Sequence, residues 1–308
     1  MALRPPSLAA LLVAASIGLL AGGCSDPPPF AQLSGLMLDA QLGEVSGLAA
    51  SRRHPDTLWM LNDGGGPASV YAVSRRGSRL ATLRIDGVDN TDWEDLAAFD
   101  LDGRHYLLIA DTGDNGGLRR TLQLHVVEEP ATLVDATARP AWSIVFRWPD
   151  GARDCEAVAV DAAAGQVLLV SKKRQPPELF ALPLRPRDGA LQVARPLGTL
   201  AGVPRPDADE LRANARLARI RSQVTAADIA PDRHAIAVLT YRDVLVYPRH
   251  GRETWAQALA RPPRVHPLPW LPQAEALGWS ADSRALYATG ELSPAPLLYL
   301  NPRLDRTR

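Results

Sequence analysis

One short phrase of small and apolar residues is written five times along this chain. It reads Ser46, Gly47, Leu48, Ala49, Ala50, then Glu94, Asp95, Leu96, Ala97, Ala98, then Glu156, Ala157, Val158, Ala159, Val160. The last two copies are Thr225, Ala226, Ala227, Asp228, Ile229 and Glu275, Ala276, Leu277, Gly278, Trp279. Each copy leads through a turn rich in Asp, Gly, Pro or Ser to a second apolar run, among them Leu58 to Leu61, Tyr106 to Ala110 and Val167 to Val170. A third run follows each time, and a fourth is readable in most copies, for example Leu80 to Ile85 and Ser143 to Arg147. Short strands in fours, recurring about every 50 to 70 residues, are the pattern of β-propeller blades. The fold expected is therefore an all-β propeller of five blades, with six as the alternative if the long third unit hides another.

The last unit runs out after its third strand near Leu300, while Leu33 to Leu38 precedes the first unit with no blade of its own. Pairing that N-terminal strand with the final blade would close the ring and leave no exposed edge. The segment from Asp207 to Ile220 interrupts the pattern with acids first and arginines last, the order that suits a helix dipole over about 14 residues. It is read as a helix packed between blades, with a lid over one face as the alternative.

The first residues look like an address rather than part of the fold. Arg4 precedes an uncharged apolar run from Leu8 to Leu20, and small residues then lead into Cys24. This resembles a bacterial lipoprotein signal over residues 1–23, with Cys24 lipidated and residues 24–32 forming a Pro-rich tether. The expected arrangement is a single propeller domain over 33–308, held to a membrane by its lipid and facing the periplasm. Ser25, and not Asp, follows the lipidated position, which favours the outer over the inner membrane. Cys155 would then have no partner and would pack as a small hydrophobe.

Charge narrows the partners. The 34 basic and 34 acidic residues cancel, and no basic stripe runs along the chain, so nucleic acid is not an expected partner. The chain has no Gly-x-Ser-x-Gly elbow, no His-Glu-x-x-His, no phosphate-cradling Gly-x-x-x-x-Gly-Lys and no Cys-x-x-Cys, so covalent hydrolase chemistry has no support.

The two faces of the ring are expected to differ. Loops joining first to second strands are ordinary turn chemistry. The opposite face collects Asp63, Asp111, Asp114, Lys172, Lys173, Arg242 and Glu291 from loops between second and third strands. Glu94, Glu156 and Glu275 open inner strands at one register on this same face, so they should converge on the axis. Asp86, Asp89, Asp92 and Asp95 lie beside Glu94. Converging carboxylates need a cation, protons or hydrogen-bond donors, and Ca²⁺ tolerates irregular oxygen cages. The metal set expected is Glu94, Glu156, Glu275 and Asp111. The competing reading is that these glutamates cap amides or pair with Arg119, Arg120 or Arg242.

Glu44 to Leu48, Leu58, Trp59, Asn62 and Asp63, Asp92 to Leu96, and Asp111 to Asn115 together resemble a group of bacterial secreted propeller proteins. Asp154 to Asp161 is similar to the inner-strand phrase of calcium-dependent propeller phytases, and a glutamate opening an inner strand is similar to gluconolactonase-type propellers. The resemblance implies that Glu156 is a channel-facing calcium or phosphate-site acid, with Lys172 and Lys173 placed to hold a phosphate. The acid-rich opening of the phytase pattern is absent, Ser46 and Gly47 standing there instead. Two functions follow as expectations: a binding or scaffold module for a protein partner or small anionic ligand, and a calcium-dependent hydrolase of phosphoesters or lactones.

Overall fold

A computed structural model describes residues 29–186, 189–269 and 271–302. Cys24 and the signal segment lie outside the described residues. Within them the chain forms five β-sheets, antiparallel but for one parallel edge strand in each of two, arranged as the blades of a propeller.

The innermost strands are Val45–Ala50, Trp93–Leu101, Ala157–Asp161, Val224–Ile229 and Ala274–Trp279. They pack against one another around the axis. This explains the smallness of the repeated phrase: a Cβ on Gly47 would lie 2.7 Å from the backbone nitrogen of Leu96, and one on Gly278 would lie 2.7 Å from the carbonyl of Leu48. At these two positions neighbouring inner strands come too close for any side chain, while the large side chains of the same strands, Trp93 and Trp279 among them, are fully buried. Trp59, Leu107, Leu168, Val238 and Leu286 on the second strands are buried between neighbouring blades. Each of the five blade junctions holds its own apolar cluster. Burial there drives closure, because a blade alone would leave both of its faces in water.

The ring closes as the sequence predicts. Ala31–Met37 pairs antiparallel with Ala295–Leu300, from Ala31 opposite Leu300 to Met37 opposite Ala295, and supplies the outer strand of the fifth blade. Asp39 then pins the entry to the first blade through a 2.6 Å ion pair with Arg79.

The long second and third units contain straps and a helix, not a sixth blade. Ala136–Ala138 leaves the second blade to lie parallel to Arg79–Ile85 of the first, and Gln192–Val193 leaves the third to lie parallel to Trp142–Arg147 of the second. The predicted helix spans Ala208–Arg221 in the connector between the third and fourth blades, with Asp207 and Glu210 forming a reciprocal capping box. Ala218 is its one buried residue. It is therefore not wedged between blades; Glu210 ties it to Arg242 on the acid-rich face at 3.0 Å. No helix among the described residues is long and apolar enough to cross a membrane.

Candidate functional site

The mouth of the ring on this face is built from one backbone irregularity repeated around the axis. In four blades the inner strand shifts register at its first turn, at Ser46, Glu94, Thr225 and Glu275. Glu156 occupies the corresponding position in the third blade, just before its inner strand begins. The extra residue of a bulge leaves the ladder and re-aims its side chain. Where it carries a hydroxyl, it ties the ring together: Ser46 Oγ donates to the carbonyl of Trp93 at 2.9 Å and Thr225 Oγ1 to that of Ala274 at 2.7 Å. Where it is glutamate, a carboxylate is placed in the mouth.

Carboxylate oxygens of Asp63, Asp92 and Glu94 lie within 4.8 Å of one another, and so do those of Glu94, Asp154 and Glu156. Glu94 belongs to both groups. It is 5 % exposed, and no hydrogen bond from any described residue reaches its carboxylate. Burial, then the charges of Glu156, Asp63 and Asp92, raises its pKa well above the ordinary carboxylate range. Asp92 is pushed up to about 6, mainly by burial and next by Asp63.

Glu156 carries a counter-charge. The Lys172 ammonium contacts its carboxylate and lies 5.3 Å from the centre of the Tyr241 ring. Burial still dominates and, with Glu275 acting in the same direction against Lys172, lifts Glu156 to about 8. Tyr241 donates its hydroxyl to Glu275, and Glu291 is raised to about 9 by burial, its hydrogen bond to Glu275 and that group's charge. The side facing Glu94 has no such partners.

The predicted residues divide accordingly. Asp63, Glu94, Glu156, Lys172, Glu275 and Glu291 come to the mouth. Asp111 is instead held by Arg119 at 2.7 Å, and Asp114 caps its own loop by accepting from the amides of Leu118 and Arg119. Lys173 spans Asp154 at 2.8 Å and Asn115 Oδ1 at 2.7 Å. Arg242 is engaged by Asp243 and Glu210. None of the three glutamates pairs with Arg119, Arg120 or Arg242.

Asp95 follows the bulge at Glu94 and rejoins the ladder, with its carboxylate directed to backbone amides instead of the mouth. It is fully buried and accepts amide hydrogens from Leu96, Val158 and Ala227 at 2.8, 2.8 and 3.3 Å, joining three blades at the axis. Asp86 pairs with Arg139 at the surface. Asp154 and Tyr241 were not singled out from the sequence. A signal for Asp154 existed: Asp92-x-Glu94 and Asp154-x-Glu156 are the same spacing in successive blades, the aspartate ending the connector and the glutamate standing at the irregularity.

The fold and this mouth together define a five-bladed β-propeller with an acid-lined funnel. No family model and no curated protein matches the sequence. Among solved structures, that of U3-55K is similar, with a TM-score of 0.39 and 14% sequence identity over 83% of this chain and 67% of that one.

Proposed function

We propose that this chain is a binding module that holds Ca²⁺ where Asp63, Asp92, Glu94, Asp154 and Glu156 converge, and captures a protein partner or small anionic ligand on that face. The observation that carries the reading is Glu94, a buried carboxylate without a hydrogen bond at the junction of two carboxylate groups. Such a group is costly without a proton or a cation. An all-oxygen, irregular donor set suits Ca²⁺ better than metals preferring nitrogen, sulfur or strict octahedral geometry. Gly113 supports the same reading, because its missing side chain lets Asp92 and Glu94 press against the adjoining loop. The lipoprotein-like start of the chain supports attachment to a membrane with the propeller facing the periplasm. The likeness of Asp154 to Asp161 to the phytase inner-strand phrase is consistent with a calcium-linked role.

Titration calorimetry with Ca²⁺, with thermal melts in calcium and in chelator, tests this. Micromolar binding and a raised melting temperature are expected in the wild type, with both lost in Glu94→Gln. Absence of binding in the wild type would remove the ion from the reading and leave a propeller that meets its partner directly.

A second reading, metal-assisted hydrolysis of a phosphoester or lactone, draws on one observation. Lys172 and Tyr241 bring proton-bearing groups against Glu156 and Glu275, beside the proposed ion. A bound cation would polarise substrate oxygen and activate water there. A phosphoester and lactone screen with the calcium-loaded protein separates the two readings.

A further inference from the structure

A cavity of about 410 Å³ lies between the helix Ala208–Arg221 and the third blade, lined by Lys173, Arg205, Pro206, Leu211, Arg219, Ser222 and two glutamines. No aspartate or glutamate lines it. Three arginines around this helix find acids, Arg212 with Asp209, Arg221 with Glu210 at 4.0 Å and Arg242 with Glu210 at 3.0 Å, while Arg216, on the helix but outside the cavity, has no such partner. Arg205 and Arg219 lack one too; neither has an ion pair or hydrogen bond among the described residues. Ser222 is 3 % exposed, and its hydroxyl is buried with no partner. A buried hydroxyl left in that state costs free energy that a ligand oxygen would recover.

Two unpaired guanidiniums and an unsatisfied hydroxyl, beside a Lys173 ammonium already held by Asp154 and Asn115, make a donor-rich wall without a carboxylate. That is the complement of a doubly charged oxyanion, for which guanidinium is the most apt side chain. The volume exceeds what an inorganic oxyanion fills, and Pro206 and Leu211 supply apolar surface for the remainder. We propose that this cavity binds a small organic anion with a dianionic head group, of the phosphate monoester type. The head group meets Arg205, Arg219 and Ser222, and the organic part lies against Pro206 and Leu211. Lys173 also pairs with Asp154, so the cavity adjoins the acid-lined funnel. The inference does not depend on the cation.

The test uses the full chain in excess chelator, so that failure of calcium binding and failure of this proposal are read separately. Phenyl phosphate is titrated by calorimetry, with inorganic phosphate and benzoate for comparison. Saturable phenyl phosphate binding is expected, at least about tenfold tighter than either comparison ligand. Arg205→Gln/Arg219→Gln should weaken it by at least about tenfold, as loss of charged hydrogen bonds implies, and Ser222→Ala by a few-fold. Arg205 and Arg219 are exposed, so the double variant should keep the wild-type melting temperature. Arg216, also without a partner but outside the cavity, provides the control, and Arg216→Gln should bind as the wild type does. Absence of saturable binding, equal affinity for benzoate or inorganic phosphate, an unaffected double variant, or an equal loss in Arg216→Gln would each overturn the proposal.

Discussion

Gly113 lies so close to Glu94 that a Cβ on the glycine would fall 2.2 Å from Glu94 Oε1, and 2.4 Å from the carboxyl carbon of Asp92. The loop after the second strand of the second blade thus forms the floor on which two acids of the funnel rest. The proximity makes the glycine a test of the site that leaves every carboxylate in place.

Gly113→Ala should displace Asp92 and Glu94 from their present positions. If these groups hold Ca²⁺, affinity should fall by at least tenfold. The loop and its neighbours must also adjust to the added methyl, at a cost on the order of 1–3 kcal/mol. Calcium titration together with urea denaturation separates the two effects. Unchanged affinity in a folded variant would show that the funnel acids are not ligands.

Proton uptake by the funnel should oppose the ion. Asp92, Glu156 and Glu291, raised to about 6, 8 and 9, hold more protons in the folded state than in the unfolded chain, where carboxyls titrate near 4. A folded state that binds more protons loses stability as pH rises, so the cation-free protein should become less stable from about pH 4 towards pH 9. Ca²⁺ should reverse this trend by replacing protons. Its affinity should increase across that window, and calorimetry in buffers of different ionisation enthalpy should detect proton release on binding.

Asp95 should prove structural rather than functional. Asp95→Ala leaves the amides of Leu96, Val158 and Ala227 without their acceptor at the axis, and each unsatisfied buried group costs about 1–3 kcal/mol. A loss of at least 3 kcal/mol by urea denaturation is expected. Asp95→Asn retains an acceptor oxygen and should lose much less. Both variants, where folded, should keep the calcium affinity of the wild type.

Ring closure is testable at the N-terminus. Deleting residues 1–38 removes the outer strand of the fifth blade, exposes the edge of Ala295–Leu300 and uncovers part of the apolar cluster at the junction with the first blade. An unpaired edge of this kind invites association between chains. The shortened protein should melt at lower temperature and aggregate, whereas deletion of residues 1–28 should leave the melting temperature unchanged. Light scattering during thermal melts compares them directly.

The repeated small-residue phrase, the closing strand and the 207–220 helix were all legible because each has a local cause. Inner strands approach one another too closely for a side chain at Gly47 and Gly278; a three-strand final unit needs a fourth; and Asp207 with Glu210 caps a helix whatever surrounds it. Glu94 and Glu156 share a carboxylate group in the mouth, whereas Glu275 belongs to neither group and is met by Tyr241. The partners of the acids were less accessible. Asp111 and Glu94 have the same chemistry, yet Arg119 lies within reach of only the first. Asp95 and Glu94 are adjacent, yet the bulge at Glu94 separates them, so that one meets the backbone of three blades and the other the carboxylates of the mouth.

By itself, the sequence pointed to a propeller of five or six blades, the order of their strands and a closing N-terminal strand, because side-chain size and strand periodicity act within each unit. Only the tertiary structure decided which carboxylates meet one another and which meet a cation. That division depends on distances of a few ångströms between loops far apart in the chain, set by how five blades pack around one axis. It left Glu94 without a hydrogen-bond partner among carboxylates and gave Lys172 to Glu156. It also left Arg205 and Arg219 lining a cavity with no acid to neutralise them.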